Sequence, residues 1–187
     1  MRLNKNQAWH FVGPTLRDGR PVPKDGEWLV HDGPVTICES GLHFSWHPFD
    51  ALIYAPGETL CLVDVEGVVA EEVDKGVCRR RRIVCRMDAT ELLRYFARMQ
   101  AISALEYWET DPPDVVLDYL MTGEESIRAA ARAAAEAAAG AAAEAAAWAA
   151  ARAAARAAAS AAARDAARSA VREDFQALVH ECFGVEP

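Results

Sequence analysis

The chain has 187 residues, a formal net charge of −8 and 52% hydrophobic residues, a share that alanine inflates. What remains suits one compact domain of about a hundred residues with something extended attached. The acidic balance argues against nucleic acid or an anionic membrane as partner, and no window reaches the roughly 18 apolar residues of a membrane span. Cys38, Cys61, Cys78, Cys85 and Cys182 are odd in number and scattered, which suits reduced thiols, so the expectation is a cytoplasmic, unexported chain.

Ala8 to Val12 is a β-prone run stopped by Gly13-Pro14, and Arg17 to Arg20 reads as a turn. Pro21, Pro23 and Asp25-Gly26 punctuate a loop before a strand at Glu27 to His31, and Val35 to Cys38 is a further strand candidate. Gly41 to Gly57 (GLHFSWHPFDALIYAPG) is the densest run of specialised residues. In it Leu42, Phe44 and Trp46 alternate with His43, Ser45 and His47, as a strand with one apolar face would. Pro48 fits the first turn of a short helix to Tyr54, with Asp50 near its positive end.

Thr59 to Gly67 alternates as a strand, and Val68 to Val73 and Val77 to Arg86 are expected to follow as two more. The last carries Arg79, Arg80, Arg81, Arg82 and Arg86. Charge on both faces of a buried strand is costly, so this one is expected at an edge, with an anion or nucleic-acid patch as the alternative use of its arginines. Asp88 to Glu91 forms a capping box opening a helix to about Trp108; Asp111-Pro112-Pro113-Asp114 starts another to Met121, and Thr122 to Glu125 a third.

From Arg128 to Arg172 a non-alanine residue recurs at every fourth position, including Glu136, Gly140, Trp148 and Arg164, in almost pure alanine. Alanine is the best helix former, so the segment is expected to be a rod, about 65 to 70 Å long at 1.5 Å per residue. Four residues turn the helix by about 400°, so the larger side chains wind around the rod and leave no fixed binding face. The spacing is expected to place Trp148 one turn from Glu144 and from Arg152, within reach of a cation–π contact with the arginine. A solvated simple-sequence rod, a spacer and an oligomerising, coiled-coil arm are the three readings. Beyond it, Phe175, Leu178, Val179 and Phe183 form an apolar stripe in need of a partner: this domain, a second copy or another protein.

The run AWHF, then GLHFS, Pro48-Phe49-Asp50, Tyr54 and LCLVDVEG resembles an uncharacterised domain family of phage and bacterial proteins, over roughly residues 8 to 100. That resemblance implies a phage-related domain of unknown function and carries no activity. A second resemblance is to ADP-ribosyltransferases, on Gly41-Leu42-His43-Phe44-Ser45, Ala51, Tyr54 and Gly67. It implies an NAD site in which His43 takes the aromatic position that stacks on nicotinamide and His10 holds the ribose, with Glu66 and Glu71 available as the acid.

The expected fold is α+β: a small mixed or antiparallel sheet domain with covering helices, then a long alanine-rich helix. Residues 1–122 form the domain, the sheet to about 88 and the helices from 88 to 122, and 123–187 the helical extension. The candidate ligand-binding residues are His10, His43, Phe44, Ser45 and Tyr54, and the candidate basic patch is Arg79 to Arg82 with Arg86. Cys38, His43 and His47 are metal-ligand types, but a zinc needs a fourth ligand that the sequence does not nominate. No metal or cofactor is therefore expected, with NAD reserved for the transferase alternative. The leading functional expectation is a non-enzymatic binding or assembly module, partnered through its C-terminal helix by a second copy or another protein.

Overall fold

Two acids and two arginines set the register at the middle of the sheet. In the computed structural model, which describes residues 2–103, 105, 111–138 and 160–186, β4 (Thr59–Glu71) and β5 (Gly76–Asp88) form a long antiparallel hairpin. Asp64 faces Arg82 and Glu66 faces Arg80, with Val65 opposite Arg81 between them. Side chains alternate along a strand, so the four charges share one face, and Val65 and Arg81 take the other. Arg82 and Asp64 approach to 2.7 Å, Arg80 and Glu66 to 2.5 Å. The Arg80–Glu66 pair is exposed and contributes at most about 1 kcal/mol, whereas Asp64 is mostly buried beside Arg82; both pairs fix the register.

β1 (Gln7–Val12) pairs with β4, while β2 (Trp28–Val30) and β3 (Leu42–Phe44) pair with different stretches of β5, all antiparallel. The fold is α+β, with a five-stranded antiparallel sheet in the order β1-β4-β5-β2 and β3 also on β5. The arginine-rich strand is therefore interior, where its charge suggested an edge. It is tolerated there because Arg80 and Arg82 find acids on β4 and also flank the Trp28 ring, 4.5 and 4.9 Å from its centroid. Only Arg81 turns inward.

Two further expectations are corrected. Val68 to Val73 is not a separate strand: β4 runs through Gly67, at φ +64°, to Glu71, with a register shift between Val68 and Ala70. Val35 to Cys38 is not a strand, because Thr36 and Ser40 exchange backbone hydrogen bonds and close the segment into a turn. Cys38 sits at its tip with φ +67°.

The chain divides into two compact units, one of residues 1–92 with 172–187 and one of residues 93–171. In the first, Ala8, Val12, Leu42, Phe44, Cys61, Val63, Val65, Cys78 and Ile83 form one core cluster. Trp9, Phe11, Leu60 and Leu62 are also buried, and Trp9 is stacked on His180 and edge-on to Phe183. Both partners belong to α5 (Ser160–Phe183), whose Phe175 and Val179 are fully buried. α1 (Pro48–Ile53) lies close by: Phe49 meets Phe175 edge-on, and Asp50, 3% exposed, pairs with Arg172 at 2.6 Å. The stripe at the end of the chain thus finds its partner in its own domain.

In the second unit, α3 (Asp114–Thr122) ends at Gly123 in the left-handed region, φ +70°, which satisfies the Tyr119 carbonyl. A 3-10 turn (Glu125–Ile127) leads into helical residues 128–138 (α4), where Arg132 and Glu136 pair one turn apart at 2.8 Å. α2 (Thr90–Ser103) starts where the Asp88 carboxylate accepts from the Thr90 amide at 2.9 Å. The expectations at Gly140 and Trp148, and the last turn toward Trp108, lie outside the described residues.

Candidate functional site

A two-way backbone bridge builds the site. Ser45 N–H donates to the Trp9 carbonyl at 2.9 Å and Trp9 N–H to the Ser45 carbonyl at 2.8 Å, which ties the end of β3 to β1. His10 is thereby brought beside His43 and Phe44. The bridge also buries Ser45, 2% exposed, and turns Trp46 outward, 43% exposed, against the alternation expected from sequence. The Trp46 indole stays useful: it lies edge-on to Phe44 and donates to Glu71 at 2.5 Å. Phe44 in turn lies over Gly76, where a Cβ would enter its ring, so the pairing of Phe44 with Gly76 needs a residue without a side chain.

His10, His43, Phe44, Ser45 and Tyr54 all line one cavity of about 670 Å³. Its apolar wall includes Trp9, Phe11, Leu16 and Leu42, and its charged groups are Arg17, Arg20, Lys75, Arg81 and Glu39. The His43 ring accepts the Cys38 amide proton on Nε2 at 2.9 Å, which leaves Nδ1 to carry its own proton. Burial lowers the pKa of His43, helped by Arg81, and lowers that of His10 well below the ordinary value, helped by Arg81 and His43. Both imidazoles are therefore neutral near pH 7. Tyr54 stands at the rim, its hydroxyl donating to Asp74 at 2.6 Å and accepting from Lys75 at 3.1 Å. The Asp74 contact is the main reason its pKa is raised.

The arginine run divides by face. Arg80 and Arg82 bind Glu66 and Asp64, Arg86 binds Asp25 and the Pro23 carbonyl at 2.6 Å each, and Arg79 donates to the Gly33 carbonyl at 3.2 Å. Arg81 alone lines the cavity, 7% exposed, and donates to the His43 carbonyl. Among the described residues no carboxylate pairs with it, and burial brings its pKa down to about 10. Periodicity could not single out Arg81 within four consecutive arginines. The available signal was the register, because alternating acids at 64 and 66 select Arg82 and Arg80 and leave Arg81 facing inward.

Residues 7–95 match a domain of unknown function, DUF7666. No curated protein and no solved structure matches the chain. The DUF7666 region contains every residue of the cavity and supports the resemblance to an uncharacterised domain family. It stops short of α5, although α5 covers Trp9 within the same unit.

Other chemistry is accounted for locally. Cys61 and Cys78 are buried thiols whose pKa values are each pushed up to about 11 by burial, so they are poor nucleophiles. His47 is occupied at α1, where its Nδ1 accepts from the Phe49 amide at 3.1 Å. Among the described residues no group of three or more His, Cys, Asp or Glu is placed to hold a metal ion, and no helix is long and apolar enough to cross a membrane.

Proposed function

We propose that the DUF7666 region is a binding module and that the cavity between β1, β3, β5 and α1 is its recognition site for a small, ring-bearing ligand, with NAD the first candidate. The observation that carries this reading is the convergence of His10, His43, Phe44, Ser45 and Tyr54, from separate elements, on a single cavity. Neutral imidazoles and an aromatic wall suit ring stacking and hydroxyl recognition. Binding is favoured over ADP-ribosyl transfer because the two acids that the transferase resemblance makes available are engaged elsewhere: Glu66 with Arg80 and Glu71 with the Trp46 indole. Neither is among the residues lining the cavity.

Isothermal titration with NAD tests the reading, run beside an assay for nicotinamide release. Saturable binding that weakens in His43→Ala, with no nicotinamide released, is the expected result. Release of nicotinamide would replace the binding module with an enzyme, and no heat at millimolar NAD would remove NAD as the ligand.

A role in a phage-related assembly, with the alanine-rich segment as spacer or oligomer arm, is a second reading. Its support is the period-four repeat itself and the helical residues on either side, 128–138 and 160–171. Sedimentation of the full chain against one lacking residues 139–159 separates the two arms. A concentration-dependent oligomer lost on deletion supports an oligomer arm; a monomer in both cases removes it.

A further inference from the structure

Among the described residues no carboxylate pairs with Arg81, a buried cation on the wall of the cavity. Its guanidinium has five N–H donors and no acceptor, and the His43 carbonyl takes part of that capacity. A buried charge with no counter-charge costs folding free energy, and the sheet places this one on the wall of a cavity instead of among the acids that serve Arg80 and Arg82. The surroundings reinforce it. Arg17, on the same cavity, donates to the Cys38 carbonyl at 3.5 Å and pairs with no carboxylate among the described residues, whereas Arg20 is paired with Asp18, and Lys75 with Glu72 and Asp74. Against the two unneutralised guanidinia stands one acid on the lining, Glu39. In a chain of net charge −8, this cavity is locally positive.

We propose that the cavity takes a phosphate-bearing nucleotide, with Arg81 anchoring the phosphate through its planar fork and the aromatic wall of Phe44 and Tyr54 receiving the ring. The proposal rests on the cavity being a recognition site and names the class of its ligand. A phosphate suits the geometry because it can accept two parallel N–H bonds from one guanidinium while a second guanidinium, Arg17, approaches another oxygen. The ligand supplies the missing counter-charge, so its binding and the stability of the domain are coupled.

Calorimetry on the full chain with adenosine, AMP, NAD and inorganic pyrophosphate tests this, with melting temperature as a second readout. AMP is expected to bind about ten- to hundredfold more tightly than adenosine, the range of a desolvated charge-assisted contact. Pyrophosphate is expected to raise the melting temperature and to compete with AMP. In folded Arg81→Met both effects should vanish, while the melting temperature without ligand stays equal or rises, because an unpaired buried charge has gone.

Adenosine binding as tightly as AMP, or pyrophosphate still binding folded Arg81→Met, overturns the anchor and leaves the cavity reading in place. Binding of pyrophosphate and AMP but not NAD keeps the anchor and removes NAD as the ligand. If no probe binds, both readings fall together. Should Arg81→Met not fold, the adenosine-to-AMP ratio on the unchanged chain decides, and Arg17→Gln should reduce it.

Discussion

Phe44 reaches the cavity wall only because its neighbour across the ladder is Gly76, and the whole site inherits that constraint. A methyl group at position 76 would enter the ring, so Gly76→Ala must move Phe44 or the β3 backbone. Overpacking of this kind costs about 1–3 kcal/mol, to be read as a lower urea midpoint together with weakened ligand binding. An unchanged midpoint would mean that β3 yields to the added methyl without cost. Asp50 makes a comparable demand: it is 3% exposed and its carboxylate is met by Arg172. Arg172→Ala is expected to destabilise the protein by about 1–3 kcal/mol, discounted because the arginine is itself partly exposed. Arg172→Lys should recover part of the loss. Equal stability of all three chains would show that the pair is incidental.

Among the elements, α5 carries the clearest expectation, because it lies far outside the matched region yet completes the packing around Trp9 and Phe49. Phe175 is fully buried, so Phe175→Ala should cost about 3–5 kcal/mol, the range for emptying an aromatic site. Equilibrium unfolding followed by tryptophan fluorescence reads this directly, since Trp9 touches the same helix. A chain ending at residue 171 should lose the near-ultraviolet signature of packed aromatics, and a peptide of residues 172–187 should restore it. A truncated chain with native fluorescence and unchanged midpoint would return α5 to the status of a tail. β5 offers the opposite lesson: an interior strand accepts five arginines when its surroundings supply acids, carbonyls, a tryptophan face and one cavity.

For the molecule as a whole, the histidines set the acid limit. His10, His43, His47 and His180 all have lowered pKa values with burial as the first cause, and for His47 the value comes down to about 4 from 6.5. These groups are neutral in the fold, and the unfolded chain takes up their protons at about pH 6.5. Between those values the unfolded state binds more protons, so stability is fully present above pH 6.5 and falls as the pH drops toward 4. The urea midpoint should therefore decrease steadily from pH 7 to pH 5, with a shallower slope in His47→Asn, which keeps a helix cap but cannot titrate. A midpoint that is flat over this interval would show that these imidazoles are solvated.

Local chemistry made much of this protein legible from its sequence. A β-prone run stopped by Gly13-Pro14 gave β1 and alternation the first part of β4; Pro48 with its flanking residues gave α1; Asp88 gave the start of α2, because such signals act within a few residues. The motif GLHFS pointed to His43, Phe44 and Ser45 on the same grounds, and the resemblances supplied His10 and Tyr54. What sequence could not decide was long-range pairing. Whether β5 lay inside or at an edge depended on Asp64 and Glu66 meeting Arg82 and Arg80 across a hairpin. Whether Ser45 or Trp46 was buried depended on the bridge to Trp9. Whether the apolar stripe after Arg172 had a partner depended on Trp9 of β1 and Phe49 of α1, more than a hundred residues away in the chain. Which of four consecutive arginines faced the cavity was settled by register alone, because identical neighbours carry no periodic signal and only a partner strand distinguishes them.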